Sequence, residues 1–380
     1  MKKIVLFLFA ALMLVACSEN LVRIEIANES SIEKENEIVT IAWNDLAQKL
    51  TLYGGKTIIV LNEEGVQIPY QILYKGQDTP QEVIFQTSLG KGEKVTYSIK
   101  GGEPEVFERM TYGRAVPERK DDFAWENNRI AFRMYGPALA NENPSNGVDI
   151  WLKKTNELIV DKFYSDELER NLSYHVDRGL GLDCYKVGHT LGAGGIAPYI
   201  NDVLCVGGYY STAKVLDSGE LRTSFELTYD SVPTPSGNLL KEKIIITLDA
   251  NSQMNKAVLT YDGDFEEIQV AGGIWLHKEI GNIAESKEDG YIAYGEIAVS
   301  DAGLPAGRNY IGVIFPNTID IKQQDEHLLA IVDYKKGDEL SYYFGGGWSD
   351  WGFDSDTAWF DYVKNYAANS KQNLKVTILK

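Results

Sequence analysis

Short runs of alternating apolar and polar residues recur from Leu21 almost to the end of the chain, and this repetition restricts the fold more than any single motif. Val22-Arg23-Ile24-Glu25-Ile26, Glu37-Ile38-Val39-Thr40-Ile41, Lys94-Val95-Thr96-Tyr97-Ser98-Ile99 and Ile130-Ala131-Phe132-Arg133-Met134 all have the two-residue period of a strand. Turn signals such as Asn62-Glu63-Glu64-Gly65 and Gly90-Lys91-Gly92 separate such runs. Roughly fifteen or more strand candidates stand against two helix candidates, at 158–172 and 357–369. Residues 43–50 read as either a helical turn or a bulged strand. No internal repeat of propeller or solenoid period is present. The pattern predicts an all-β chain, a large antiparallel β-sandwich of the supersandwich kind with few short helices. Residues 37–105 read as an N-terminal β module and 106–380 as the main supersandwich, either separate from the module or continuous with it.

The first residues read as targeting information. Lys2 and Lys3 precede an apolar run from Ile4 to Val15 that is too short to span a bilayer. Leu14-Val15-Ala16-Cys17 resembles the lipobox of bacterial lipoproteins, which makes 1–16 a signal peptide and Cys17 the lipidated first residue. Residues 17–36 then serve partly as a tether. The expected location is the cell envelope, periplasmic or on the outer-membrane surface, with the lipid anchor as the contact with membrane. A formal charge of −18, made more negative when Lys2 and Lys3 leave, argues against nucleic acid and anionic lipid surfaces as partners. Cys184 and Cys205, the remaining thiols, form neither a disulfide framework nor a zinc spacing.

One stretch departs from the strand pattern. Residues 174–195 hold His175, Asp177, Arg178, Asp183, Tyr185, Lys186 and His189 among six glycines. A packed core has little use for that mixture, whereas a site that brings backbone close to a polar ligand does. A second basic and aromatic spot contains Trp125, Arg129 and Arg133, with Arg133 facing away from Phe132 on its strand. Trp275-Leu276-His277 and Gly347-Trp348-Ser349-Asp350-Trp351 form two more.

The stretch Pro117-Glu118-Arg119-Lys120-Asp121-Asp122-Phe123-Ala124-Trp125-Glu126-Asn127 and its continuation Ile130 to Leu139 resemble the DUF4861 proteins, an uncharacterised family of exported bacterial proteins. The blocks His175-Val176-Asp177-Arg178-Gly179, Asp183-Cys184-Tyr185-Lys186-Val187-Gly188 and Gly192-Ala193-Gly194-Gly195 are similar to the same family. The resemblance covers most of the mature chain. It implies a galactose-mutarotase-like supersandwich and company with polysaccharide-degrading enzymes, notably those handling uronic-acid glycans. It assigns no catalytic residues.

The residues themselves suit a polysaccharide or oligosaccharide. Trp125, Trp275, Trp348 and Trp351 offer faces for pyranose rings, while Trp151 and Trp359 read as core. Arg129, Arg133 or Arg178 offers a planar fork for a uronate carboxylate. His175 and Tyr185, beside Arg178, meet the needs of β-elimination: a base, an acid and a cation for the charge developing on the carboxylate. His189 and His277 are reserves for those roles. Hydrolysis needs two carboxylates instead, with Asp177 and Asp183 the nearest pair and Glu279 and Asp350 as alternates. No cofactor is expected; a divalent cation at His175, Asp177 and His189 would match no standard ligand spacing. Neither a dinucleotide fingerprint nor a P-loop occurs in a suitable setting. Two readings follow: an enzyme of lyase or hydrolase type on uronate-containing glycans, or a non-catalytic glycan-binding lipoprotein.

Overall fold

The structure, a computed structural model, describes residues 21–50, 57–140, 145–277 and 281–379. The signal peptide, Cys17 and Glu279 lie outside the described residues. Among the described residues, 25 strands and three α-helices build five sheets with antiparallel ladders throughout. The expected all-β architecture is therefore what is seen.

Two small sheets enclose one core near the N-terminus. Leu21–Ala27, Ile58–Leu61, Lys94–Gly101 and the closing strand Lys375–Ile378 form a four-stranded sheet. Lys34–Ala42, Tyr70–Leu73 and Glu82–Leu89 form a three-stranded one. Inward residues Ile24, Ile26, Val39, Ile41, Phe85 and Ile99 meet between them, with Leu46 and Leu50 of helix α1 (Trp43–Leu50). Residues 21–27, in the stretch read partly as tether, are thus a paired strand, and the last strand of the chain lies beside it (Ile24 opposite Ile378).

The main body is a layered sandwich. The first five-stranded sheet contains Thr111–Val116, Asp122–Asn127, Ile130–Met134, Val148–Lys153 and Gly181–Asp183. The second contains Ala193–Ile200, Val203–Leu204, Glu267–Trp275, Asp320–Gln324 and His327–Lys335. Both face an eight-stranded sheet across a shared core in which Phe132 and Ile150, Val270 and Ile274, and Phe225, Ile246 and Phe344 meet. The two five-stranded sheets touch through a bridge between Val148 and Gly192. Gly192 has φ +62°, and a Cβ there would lie 2.2 Å from the Val148 carbonyl oxygen, so glycine is what lets the two backbones meet.

The outer face of the first sheet is buried as well. Helix α2 (Val160–Arg170) lays Val160, Phe163 and Tyr164 over Ala124, Ala131 and Trp151. Its first turn is held from far away in sequence: the Glu126 carboxylate accepts from Ile159 N at 2.8 Å and Val160 N at 2.7 Å, and also from Lys153 Nζ at 2.7 Å. Helix α3 (Asp356–Ser370), capped by Ser355, covers the outer face of the eight-stranded sheet with Trp359 and Val363.

This double burial corrects two sequence expectations. Trp125 is fully buried against Phe132, its ring 5.4 Å away, and donates to Asn255 Oδ1 at 2.8 Å. Trp348 is 2% exposed and donates to the Ala306 carbonyl at 2.7 Å. Neither offers a face to a sugar. The polar residues beside Trp125 suggested a loop, yet Glu126 occupies the opposite, helix-covered face of the same strand.

Candidate active site

Alternation on the first five-stranded sheet sends Ile130, Phe132 and Met134 into the core and Arg133 to the other face. Register then decides its neighbours. Asp149 lies directly across from Arg133, and Asp183 lies two residues along, opposite Trp151. Arg133 Nη2 reaches Asp149 Oδ2 at 2.5 Å and Asp183 Oδ2 at 2.8 Å, and Nη1 donates to the Tyr174 hydroxyl at 2.9 Å. The guanidinium also stacks over Tyr135, Trp151 and Tyr174. Arg133 is 2% exposed, so it holds carboxylates of its own chain rather than one from a ligand.

Burial, reinforced by the charge of Asp183, raises Asp149 to about 7 against the opposing pull of Arg133. Burial also raises Asp183, despite the help of Arg133 and His175. Two buried acids on one cation form a stiff, electrostatically stressed support.

That support positions His175. Its Nδ1 lies 2.9 Å from the Asp183 carbonyl oxygen and 3.4 Å from Asp183 Oδ2. Both are acceptors, so Nδ1 carries the proton in the neutral ring and Nε2 keeps its lone pair. No partner among the described residues engages Nε2, and the side chain is 28% exposed. This is the arrangement of an oriented base. Beside it, Asp301 in the turn of the hairpin Tyr291–Val299/Pro305–Ile314 lies 3.8 Å from His175 Nδ1 and 3.6 Å from Lys186 Nζ. Lys186 is exposed, and Asp301 lies between its ammonium and the His175 ring.

The second half of the site is built on His277. Nδ1 meets Glu296 at 2.8 Å and Nε2 meets the Lys186 carbonyl oxygen at 2.9 Å. With acceptors at both nitrogens, both carry protons and His277 is an imidazolium. Burial opposes that charge, but the Glu296 hydrogen bond and charge outweigh it and raise the His277 pKa. His277 therefore pins the backbone at Lys186 and has no lone pair to act as a base. Tyr185 packs edge-on against His277, 5.0 Å between ring centres, and its hydroxyl donates to the Trp275 carbonyl at 3.4 Å. Burial and the Glu296 charge raise Tyr185 well above the usual tyrosine range. Its hydroxyl keeps its proton and is held inside, which removes it from direct contact with a ligand at the surface. Trp275 is half-buried, 4.2 Å from the His277 ring.

The other expected residues fall around this centre or away from it. Asp177 pairs with Lys154 and accepts from Gly179 N and Gly181 N at 2.8 and 3.2 Å. Those bonds outweigh burial and lower its pKa. With Asp177 occupied as a turn anchor and Asp183 buried, the pair does not form two open carboxylates. Arg178 is exposed on the His175 loop and donates to the carbonyls of Ser173 and Val176. Arg129 is half-buried in a different recess, with Leu152, Gln253 and Trp351. His189 is exposed, and Cys184 and Cys205 are both free and buried. No group of three or more His, Cys, Asp or Glu side chains among the described residues is arranged to hold a metal ion.

Residues 26–376 match the family model described as "Domain of unknown function (DUF4861)". The chain belongs to that family. A Formosa agariphila protein described as "Uncharacterized protein P7" is 28% identical over 329 residues, 81% of each chain. Two Enterococcus faecalis structures share the fold: a protein in glycosyl hydrolase family 38 (TM-score 0.53, 10% identity) and an alpha-mannosidase (TM-score 0.54, 9% identity). They cover 96% and 95% of this chain, while this chain spans about half of theirs, 48% and 46%.

Asp149, Glu296 and Asp301 complete this DUF4861 site without having been singled out from sequence, and Lys186, marked only as part of the 174–195 stretch, joins them. Asp149 and Glu296 carry a faint signal, an acid within an apolar strand. Asp301 carries none, because only the folding of its hairpin toward His175 gives it a role.

Proposed function

We propose that this is an exported, lipid-anchored protein that acts on uronate-containing glycans, with His175 as the base. The observation that carries the reading is the orientation of His175: Nδ1–H is fixed by Asp183, Nε2 has no partner among the described residues, and Asp301 links the ring to the cation Lys186. A uronate suits that pairing, since the proton next to its carboxylate becomes removable when a cation offsets the growing charge. In the elimination reading, Nε2 takes that proton, the alkene forms, and the C–O bond to the leaving sugar breaks. Lys186 is the group placed to protonate the departing oxygen or to neutralise the carboxylate. The likeness in fold to a protein in glycosyl hydrolase family 38 supports a carbohydrate ligand. The buried Tyr185 hydroxyl favours a second reading, a glycan-binding lipoprotein without turnover, since it leaves the site short of one proton donor.

The test incubates protein lacking residues 1–17 with uronate-containing oligosaccharides. Ultraviolet absorbance of the conjugated alkene and new reducing ends are followed together. Both signals rising, and both lost in His175→Ala, would support elimination. Reducing ends without alkene would reject it in favour of hydrolysis. Affinity without either signal would select the binding protein.

A further inference from the structure

A second polar feature lies under the seam between the five-stranded sheets, lined by none of the side chains that build the His175 site. A cavity of about 40 Å³ is bounded by Asn146, Gly195, Gly208, Tyr229, Glu242 and Tyr342, among others. A single water needs roughly 10–15 Å³ measured this way, so several waters or one edge of a small ring would fit. Its rim reaches solvent at Gly208.

The lining is unusual. Glu242 is 8% exposed, with the Tyr261 hydroxyl acting on its carboxyl. Register puts Tyr229 and Tyr261 on either side of it. The Tyr261 hydroxyl, though close enough to influence Glu242, is buried without a hydrogen-bond partner. The Asn146 amide donates to the Gly207 carbonyl while its Oδ1 is buried and unpartnered. Burial drives the Glu242 carboxyl up to about 7, with Tyr261 partly offsetting that rise. A leucine would fill such a place in a sheet with no penalty, and unsatisfied buried polar groups are otherwise rare.

We infer that this cavity is a binding site for the hydroxyl-bearing edge of a neutral terminal sugar residue. The reasoning is one of chemical fit. The lining includes neither Lys nor Arg, so an anionic group such as a uronate carboxylate is unsuited to it. An apolar ligand would leave Glu242 and Asn146 Oδ1 unsatisfied. Hydroxyls both donate and accept: they can donate to Asn146 Oδ1 and exchange hydrogen bonds with Glu242, while Tyr229, Val232 and Ile244 meet the apolar face of a ring. The volume admits one ring edge and not a chain, so the ligand enters by its end. The inference rests on the carbohydrate reading above, but on none of the chemistry at His175.

The test uses the soluble chain lacking residues 1–17 and titrates a panel of neutral monosaccharides and methylammonium by calorimetry and thermal shift. Glu242→Leu is compared with wild type and with His175→Ala. At least one neutral sugar is expected to bind wild type and His175→Ala alike and to raise their Tm. Glu242→Leu is expected to melt higher without ligand and to lose at least tenfold in affinity along with the ligand-induced shift. Equal sugar affinity in Glu242→Leu, or methylammonium binding in preference to every sugar, would overturn the assignment. Uronate glycans engaged while no neutral sugar binds would refute this site and leave the proposed function standing. A neutral sugar bound through Glu242 with no response to uronates would do the reverse.

Discussion

Replacing Arg133 with methionine removes the only cation that contacts both Asp149 and Asp183 among the described residues, at 2.5 and 2.8 Å, while keeping much of the side-chain volume. Both acids are almost fully buried. Removing one partner of a buried ionic group destabilises a protein by about 3–5 kcal/mol, because the remaining charge has no compensation. The size of the loss should depend on pH. Arg133 lowers the pKa of both acids, so without it their folded values rise further above the ordinary carboxylate range. An acid whose folded pKa is raised destabilises the fold when ionised. The deficit is therefore full above the raised pKa and shrinks as pH falls toward the unfolded value near ~4. Urea unfolding followed by tryptophan fluorescence would compare wild type and Arg133→Met at about pH 8 and about pH 5.5. The expected result is a deficit of about 3–5 kcal/mol at the higher pH, substantially smaller at the lower, and partly restored by adding Asp149→Asn. A deficit below about 1 kcal/mol, or one independent of pH, would refute the electrostatic account of this support.

Three further outcomes follow from single contacts. Glu126→Ala leaves Lys153 buried without its carboxylate and frees two N–H groups at the start of α2, so a loss of about 3–5 kcal/mol is expected in the same unfolding assay. Trp125→Ala should also destabilise by about 3–5 kcal/mol, yet leave the affinity per folded molecule for any glycan unchanged, as measured by calorimetry. For His277, a raised folded pKa means that the Glu296 contact stabilises fully below the unfolded value and is lost as pH rises through the folded one. NMR of the ring should show both nitrogens protonated at neutral pH, and Glu296→Gln should bring the titration down toward the unperturbed range; a neutral ring in wild type would contradict this.

Much of the architecture was legible because strand period and turn chemistry are local. The facing of Arg133 away from Phe132, the core roles of Trp151 and Trp359, and the late helix all follow from spacing along a few residues. Failures came where the deciding partner is distant. Helix α2 carries no local cap because Glu126, more than thirty residues earlier, supplies it. Trp125 looked loop-flanked because polar neighbours were read as exposed, while α2 buries that polar face too. The stretch 174–195 did mark the site, but it could not show that Asp183 faces inward to Arg133 while His175 faces out, nor that His277 is held at both nitrogens.

The most direct measurement of the central proposal is proton exchange next to the uronate carboxylate. Wild type and His175→Ala would be incubated with a uronate oligosaccharide in D2O and followed by NMR. Loss or deuterium exchange of the proton adjacent to the carboxylate is expected with wild type, and at least ~100-fold slower with His175→Ala, the scale of a missing general base. Equal rates in the two proteins would contradict the role given to His175.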